Sequence, residues 1–227
     1  MISMRNVSKC YPNGSNALEN VNIEIKKGEF VFVVGPSGAG KSTFIKMIFR
    51  EELPSEGSLV VNGRNVTEMT LKDVPYLRRG LGIIFQDYRL LQDKTVYENV
   101  AFAMQVVEAP RREMQKRVNT VLDLVGLKDK VKSFPTQLSG GEQQRVAIAR
   151  AIVNNPMVVI ADEPTGNLDP ETSWDIMKIF DRINKDGTTI VMATHDKSIV
   201  DTMKKRVIAI ENGRIIRDEA RGVYGYE

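Results

Sequence analysis

A run of glycines and small residues between an apolar segment and a helical pattern is the first feature with chemical meaning. The spacing G-x-x-x-x-G-K-S is typical of a phosphate-binding loop, because its glycines let backbone N–H groups turn inward and the following helix points its positive end at the same spot. We expect Lys41 to reach the β- and γ-phosphates of a nucleotide and the Ser42 hydroxyl to ligate Mg²⁺. The residues predicted to bind the nucleotide here are Gly35, Pro36, Ser37, Gly38, Ala39, Gly40, Lys41, Ser42 and Thr43.

Two adjacent carboxylates supply the next candidate groups. Asp162 and Glu163 directly follow residues 157–161, an apolar run expected to form a strand covered on both faces. Neighbouring residues at a strand end point in different directions, so the two carboxylates can do two jobs. We expect Asp162 to hold Mg²⁺ through its water shell and Glu163 to orient or deprotonate the attacking water. A solvated strand end or a helix N-cap is the alternative, and the phosphate loop upstream argues against it.

A second stretch, Leu138-Ser139-Gly140-Gly141-Glu142, has the composition of another anion site at the start of a helix. Ser139 and Glu142 have the S-x-x-E spacing of a capping box, but capping gives no reason for two glycines, which weaken a first helical turn. One nucleotide has one triphosphate, and the chain offers two such cradles. We therefore predict a head-to-tail pair of chains, in which the phosphate loop of each faces Ser139, Gly140 and Gly141 of the other.

The segments around these residues alternate between strand-like and helix-like patterns. This alternation favours an α/β sheet that binds ligands at the carboxyl ends of its strands. The pattern predicts short strands within 2–34, strands over 57–63, 82–85, 157–161 and 188–193, helices over 111–125, 139–153, 170–183 and 197–204, and a hairpin at Asn212-Gly213. We expect a single domain over 1–227, with a core of about 1–86 and 137–227 and a helical insert of about 87–136.

Composition limits the classes of function. The chain has 227 residues, 42% of them hydrophobic and 27% charged, which is ordinary for a globular protein. Its 32 basic and 29 acidic residues are too balanced to indicate nucleic-acid binding, and they are compatible with a place beside an anionic membrane. The single cysteine, Cys10, favours a reducing compartment. No apolar run approaches the ~18 residues that span a bilayer, so we expect another chain to supply any membrane anchor.

These motifs together resemble the nucleotide-binding domain of the ABC transporter ATPases: the phosphate loop, LSGGE, Asp162-Glu163, Gln86 after one strand and His195 after another. The resemblance covers nearly the whole chain. It implies a RecA-like P-loop NTPase core with an N-terminal antiparallel β-subdomain and a helical insert. It also implies hydrolysis of ATP to ADP and phosphate with Mg²⁺ as cofactor, in a homodimer that forms when ATP is bound.

The resemblance assigns further roles to single residues. Tyr11 resembles the aromatic residue that stacks on adenine, with packing as the alternative. Gln86 resembles the glutamine that senses Mg²⁺ and the partner, and it is counted with the nucleotide and metal ligands. Asp169 closes Gly166-Asn167-Leu168-Asp169, which resembles a dimer contact although its opening departs from the usual small residues. His195 resembles the histidine that contacts the γ-phosphate, and with Glu163 it completes the predicted catalytic pair.

Residues 85–91 and 95–103 resemble the cell-division branch of the family. That likeness implies an integral membrane partner of the FtsX class, control of peptidoglycan hydrolysis, and a peripheral location on the cytoplasmic face of the bacterial plasma membrane. ATPases of lipoprotein-release or macrolide-export systems stay open as an alternative, because their sequences are similar at residues 161–169. A soluble regulatory ATPase without a membrane partner is a third possibility. A GTPase is disfavoured, since Asn184-Lys185-Asp186-Gly187 lacks the last carboxylate of N-K-x-D.

The membrane partner needs an apolar surface on this chain. Tyr88, Leu90 and Leu91 follow Gln86 within a few residues, and a short helical insert has too little interior to bury all three. Exposed apolar clusters usually mark binding sites. We therefore expect Tyr88, Leu90 and Leu91 to contact the partner beside Gln86.

Overall fold

The computed structural model describes residues 1–225 as an α/β fold with two sheets. Its strands are β1 (Ile2–Cys10), β2 (Asn16–Ile25), β3 (Phe30–Val34), β4 (Glu56–Val61), β5 (Arg64–Asn65), β6 (Leu81–Ile84), β7 (Val158–Asp162), β8 (Thr189–Ala193), β9 (Arg206–Glu211) and β10 (Arg214–Glu219). Its α-helices are α1 (Lys41–Ile48), α2 (Val74–Arg79), α3 (Val96–Gln105), α4 (Arg111–Leu124), α5 (Gly140–Ile152), α6 (Pro170–Lys185) and α7 (Lys197–Met203). Short 3-10 helices cover Lys128–Lys130 and Pro135–Gln137.

The larger sheet has the strand order β10-β9-β3-β8-β7-β6, and all of its pairings except β10 with β9 are parallel. Ala193 of β8 pairs with Val33 of β3 on one side and with Asp162 of β7 on the other. The carboxyl ends of these three strands therefore meet at one edge of the sheet. In parallel sheets this is the edge that binds ligands.

The central strands are buried on both faces, as their apolar runs predict. In β3, Phe30, Phe32 and Val34 pack into one core while Val31 and Val33 pack into the other. This is the alternation expected of a strand whose side chains point to opposite faces. The two cores fix the position of β3, and with it the loop that follows.

The smaller sheet is antiparallel, with the order β2-β1-β4-β5. It contains two of the strands predicted within 2–34 and the strand predicted over 57–63, which forms a hairpin with β5. The predicted α/β class is therefore confirmed, including a separate antiparallel sheet drawn largely from the N-terminal part of the chain.

The helices with predicted ranges agree closely with those ranges, α3 lies in the predicted helical insert, and α2 is an addition. The sequence pattern did not indicate α2, because six residues with Pro75 in the first turn are too short to show a helical period. Within residues 1–225, no helix combines the length and apolar character that crossing a membrane requires.

Candidate active site

The phosphate loop lies between β3 and α1, at the ligand-binding edge of the larger sheet. Gly35, Gly38 and Gly40 all have positive φ, a conformation that lets neighbouring N–H groups turn toward one point. No residue with a side chain fits at position 40 without a shift of the backbone, because a Cβ there would lie 2.3 Å from the carbonyl oxygen of Ala17. The first turn of α1 contains no acidic residue and no side-chain cap, so its N–H groups are available to an anion.

The ammonium group of Lys41 is folded back onto this loop. Its Nζ donates hydrogen bonds to the carbonyl oxygens of Gly35 at 2.8 Å and Pro36 at 2.9 Å. A phosphate would be a better acceptor, because its negatively charged oxygens also attract the ammonium group by their charge. The role of Lys41 in binding phosphate has this geometric basis and stays a proposal.

Tyr11 lies beside the loop, half-buried. Its hydroxyl oxygen is 3.2 Å from Oγ1 of Thr43, in the first turn of α1, and Nζ of Lys9 is 5.0 Å from the centroid of its ring. The ring is therefore fixed next to the phosphate loop, while its stacking on adenine stays a prediction.

Asp162, the last residue of β7, has features of a cation ligand. Burial raises the pKa of its carboxyl, and the negative charge of Glu163 adds to this rise. A hydrogen bond from Ser42 and the positive charges of Lys46 and Lys41 act in the opposite direction. Its Oδ1 is buried and has no hydrogen-bond partner among the atoms of residues 1–225. A buried carboxylate oxygen beside a serine hydroxyl fits the oxygen ligands that Mg²⁺ prefers.

The rest of a metal's coordination would come from other groups. The same part of the chain contains no cluster of three or more His, Cys, Asp or Glu side chains that could hold a metal ion. Mg²⁺ usually keeps several waters and binds one or two carboxylates together with substrate phosphates. Ser42 and Asp162 suit that kind of site.

The two predicted catalytic residues contact each other. Nδ1 of His195 lies 2.6 Å from Oε2 of Glu163, and the backbone N–H of His195 donates to the same oxygen at 3.4 Å. Glu163 itself has φ of +50°, a conformation that is rare for a residue with a long side chain. Its N–H donates to the carbonyl oxygen of Ala193 at 3.0 Å, which extends the sheet pairing by one residue.

Gln86 contacts the segment that follows Glu163. Its Nε2 donates to Oδ1 of Asn167 at 3.5 Å, and Nδ2 of Asn167 donates to the backbone oxygen of Gln86 at 3.3 Å. A single sequence gives no signal for this pair, because its members are 81 residues apart. The proposed role of Gln86 toward Mg²⁺ is separate from this contact and stays a proposal.

The loop after Gln86 is strained and is held by α5. Tyr88 and Arg89 both have positive φ, at 57° and 46°. Arg150, near the end of α5, donates from Nη1 to the carbonyl oxygen of Arg89 at 2.6 Å and from Nη2 to that of Tyr88 at 2.8 Å. Burial lowers the pKa of Arg150, whose charged donors are therefore largely withdrawn from water.

The second predicted anion site is a complete capping box at the start of α5. The N–H of Glu142 donates to Oγ of Ser139 at 3.2 Å, and the N–H of Ser139 donates to Oε2 of Glu142 at 2.9 Å. This backbone hydrogen bond is the main reason that the pKa of Glu142 is lowered, and Lys130, 3.3 Å from the carboxylate, lowers it further. No hydrogen bond or ion pair described for residues 1–225 links this helix end to the phosphate loop of the same chain.

Gly141 has a structural reason of its own, which the capping box does not give. A Cβ at Gly141 would lie 2.4 Å from Cγ2 of Thr172, in the first turn of α6. The absence of a side chain is thus required by close packing of two helices, whether or not an anion binds.

Asp169 has a structural role as well, since its Oδ1 caps α6 by accepting from the N–H of Thr172 at 2.9 Å. A dimer contact of Asp169 stays a prediction.

The expectation that Leu90 is exposed is wrong. Leu90 is 8% exposed and belongs to the core that also contains Val96 and Val100 of α3. The side chain of Asn99 holds the backbone next to Leu90 in place: its Oδ1 accepts from the N–H of Leu91, and its Nδ2 donates to the Leu91 oxygen. Tyr88 and Leu91 are half-buried. Of the three residues the insert thus buries only Leu90, and Tyr88 and Leu91 keep part of their surface exposed.

A group of exposed apolar side chains lies elsewhere, in a groove of about 660 Å³. Leu71, Phe102 and Val106 line it and are 81%, 41% and 51% exposed. Arg78, Arg79 and Arg150 give it a basic border. The sequence did not indicate this groove, because it forms where α2 meets α3 and α5, and α2 has no visible pattern of its own.

Comparisons with known proteins agree with this geometry. The sequence profile of the family described as ABC transporter matches residues 18–166. The dimeric structure of an ATP-binding cassette in a post-hydrolysis state, bound to ADP and Pi, superposes with a TM-score of 0.87 at 36% identity and 100% coverage of both chains. The structure of cbiO1 from Clostridium perfringens, part of the ABC transporter complex cbiONQ, gives a TM-score of 0.90 at 33% identity, over 97% of this chain and 88% of that one.

Several curated relatives match over almost their whole length. The cell division ATP-binding protein FtsE of Streptococcus pneumoniae serotype 2 is 61% identical over 227 residues, which cover 100% of this chain and 99% of that protein. FtsE of Bacillus subtilis is 61% identical over 225 residues, covering 99% of each. FtsE of Escherichia coli is 47% identical over 215 residues, covering 95% and 97%.

Proposed function

The chain belongs to the ABC transporter family and is an ATPase of that family, and we propose that it drives a membrane complex of the cell-division type. The observation that carries the proposal is the meeting of Lys41, Asp162, Glu163 and His195 at the carboxyl edge of one sheet. The identity to the FtsE relatives supports the cell-division role. As part of the proposal, residues 1–86 and 137–227 form the core and 87–136 a helical subdomain.

In the proposed reaction the phosphate loop binds the triphosphate of ATP. Lys41 exchanges the carbonyl oxygens of Gly35 and Pro36 for phosphate oxygens, and the N–H groups at the start of α1 bind the same anion. Ser42, Asp162 and Gln86 would hold Mg²⁺, which when bound neutralises charge on the phosphates. The buried, unpaired Oδ1 of Asp162 supports this assignment.

Glu163 acts on the attacking water. Its carboxylate accepts a hydrogen bond from the water and takes or steers the proton as the water attacks the γ-phosphorus. His195 fixes the carboxylate through the contact between Nδ1 and Oε2. Its other ring nitrogen is left for the γ-phosphate, to which it donates when both ring nitrogens carry a proton.

The active form is proposed to be a head-to-tail homodimer. The residues Ser139, Gly140 and Gly141 of one chain would close over the ATP bound by the phosphate loop of the other, and Asp169 would lie at the contact. A dimeric cassette among the similar structures supports the association of two such chains. Oγ of Ser139 accepts the cap bond, and its O–H can turn from the Glu142 carboxylate to donate to a phosphate oxygen.

The proposed partner is an integral membrane protein of the FtsX class, with this chain bound peripherally at the cytoplasmic face of the bacterial plasma membrane. The groove lined by Leu71, Phe102 and Val106 has the apolar surface that a cytoplasmic helix of such a partner needs. Tyr88 and Leu91 stay candidate contacts, whereas Leu90 is withdrawn. Arg150 lines the groove and also holds the loop after Gln86, so a docked helix would touch the residue that positions that loop.

A Glu163→Gln variant tests the ATPase assignment and the dimer together. The amide keeps the size of the side chain but cannot accept the proton, so we expect hydrolysis to slow by ~10²-fold or more. ATP should then persist between two chains, and size-exclusion chromatography with MgATP should show a dimer. Glu113→Gln, which changes an exposed carboxylate on α4, is the matched control and should hydrolyse ATP normally. Undiminished hydrolysis by the Glu163→Gln chain would overturn the assignment.

A further inference from the structure

Gln144 is a fully buried amide in the middle of α5. Its exposure is 0%, and it is one of few polar side chains in the core of the described chain. Its Nε2 donates a hydrogen bond of 2.7 Å to the carbonyl oxygen of Pro164. The reverse orientation of the amide would bring two acceptor oxygens together, so the donor assignment is fixed by its surroundings.

This amide is a poor choice if its purpose is packing. Its Oε1 is buried and has no hydrogen-bond partner among the atoms of residues 1–225. A buried acceptor without a partner destabilises a fold, so the amide adds nothing to α5 itself, and what it supplies is a donor for the oxygen of buried Pro164. The presence of Gln144 therefore calls for a reason beyond the stability of α5.

The reason lies in the loop that Gln144 binds. Pro164 directly follows Glu163, whose φ of +50° is an unfavourable backbone conformation. Such conformations persist only where the surroundings over-determine them, and they concentrate at functional sites. The backbone supplies two restraints, from Glu163 N–H to the Ala193 oxygen at 3.0 Å and from Gly166 N–H to the Glu163 oxygen at 3.2 Å. Gln144 supplies a side-chain restraint from outside the loop.

We infer that Gln144 is a positioning residue for the carboxylate of Glu163. It holds the peptide after Glu163 in place, and thereby keeps the carboxylate turned toward His195 and the attacking water. The inference rests on the proposed function, in which Glu163 acts on that water. It assigns Gln144 no contact with ATP, so substrate binding should not depend on it.

Gln144→Met tests the inference, because methionine has the same length but no donor. We expect kcat for ATP to fall by about 10-fold or more, as for a misplaced catalytic group. KM should stay within about twofold of the parent value. Tm should stay close to that of the parent, because removing the unpaired Oε1 offsets the cost of leaving the buried Pro164 oxygen without a donor. Asn184→Leu is the matched control: it removes an amide that donates to the Gly28 and Thr188 oxygens, at the opposite end of β8. This control should lower Tm and leave kcat unchanged below the transition.

Gln144→Glu tests for a pH dependence of activity that is not expected if Gln144 only packs in the core. A protonated carboxyl can donate to the Pro164 oxygen in place of Nε2, whereas an ionised one cannot. Activity relative to the parent chain should therefore rise as the pH falls, while the Asn184→Leu control keeps the parent's pH profile. The variant separates the donated hydrogen bond from the shape of the side chain.

The outcomes are distinct. A Gln144→Met chain with kcat within twofold of the parent, or with Tm lowered as far as in Asn184→Leu, would overturn the inference. A Gln144→Glu pH profile parallel to that of the parent would do the same. Failure of the proposed function looks different, because the parent would not hydrolyse ATP or Glu163→Gln would hydrolyse it normally.

Discussion

Nδ1 of His195 and Oε2 of Glu163 are 2.6 Å apart, and the backbone N–H of His195 faces the same carboxylate oxygen at 3.4 Å. His195 thus orients the Glu163 carboxylate through both its ring and its backbone. The side chain of Glu163 is mostly buried while that of His195 is mostly exposed, at 17% and 65%. The histidine is therefore the member of the pair that an incoming nucleotide can reach.

We expect His195→Ala to lower kcat by ~10²-fold, within the usual worth of a group that assists proton transfer. KM should change little, because the triphosphate is bound mainly by the phosphate loop. His195→Asn distinguishes two reasons for the loss, since the Asn amide can replace Nδ1 beside Glu163 but not the far ring nitrogen. Steady-state kinetics on both variants make the measurement, and activity of His195→Ala within twofold of the parent would contradict the role of the pair.

Asp162→Asn is expected to stabilise the nucleotide-free chain while reducing its turnover. Burial and the charge of Glu163 raise the pKa of the Asp162 carboxyl, so the folded chain holds this proton more tightly than the unfolded chain. Ionisation of Asp162 therefore destabilises the fold at pH values above the raised pKa. The stability of the parent relative to the variant should fall as the pH rises from about 3.9, the ordinary Asp value, through that raised pKa.

Thermal unfolding of both chains across this pH range, without nucleotide or metal, makes the measurement. Turnover with MgATP should drop by about 10–100-fold, as for a residue that holds a metal through its waters. Asp93→Asn, at an exposed surface carboxylate, is the control and should change neither quantity. A parent chain more stable than Asp162→Asn at neutral pH would refute the prediction.

Gly141→Ala separates the two reasons for a glycine at the start of α5. Its new Cβ would lie 2.4 Å from Cγ2 of Thr172, so we expect a loss of about 1–3 kcal/mol in the free energy of unfolding, typical of overpacking. Thr172→Ser removes that methyl group and keeps the N–H that Asp169 caps, so the double variant should regain most of the loss. Urea denaturation measures all three variants. Unchanged stability of Gly141→Ala, with ATP-dependent dimerisation lost, would instead point to phosphate binding alone.

The proposed docking groove is tested by Phe102→Glu and Val106→Glu. Each places a charge on exposed apolar surface, so both should abolish association with the FtsX-class partner while the isolated chain keeps its affinity for ATP. Ile216→Glu, at a 45% exposed residue of β10, is the control. Co-purification from membranes and calorimetry with ATP make the two measurements. Leu91→Glu tests the remaining candidate beside Gln86, and partner binding retained by all three test variants would move the docking site elsewhere.

The residues whose roles depend on local spacing were predictable from the sequence. The phosphate loop, Asp162-Glu163 and the capping box of α5 each carry their geometry within a few residues, and the apolar runs of β3, β7 and β8 define the sheet that aligns them. The burial of Leu90 was not predictable, because it depends on how Asn99 folds the chain back over it. The contacts of Gln86 with Asn167 and of Gln144 with Pro164 join segments that nothing local connects. The reason for Gly141 is likewise a neighbour distant in sequence, Thr172.

Helix α5 makes one rigid connection between three places that otherwise have separate tasks. Ser139 caps its start, Gln144 holds the Glu163 loop from its middle, and Arg150 near its end holds the strained carbonyls of Tyr88 and Arg89. Thirteen residues of α-helix are about 20 Å long. If a rigid helix of this length tilts about its middle, its two ends move in opposite directions. In the proposed dimer, a tilt of α5 that brought Ser139 closer to the neighbouring chain's nucleotide would therefore also shift the Glu163 loop and the carbonyl groups of Tyr88 and Arg89.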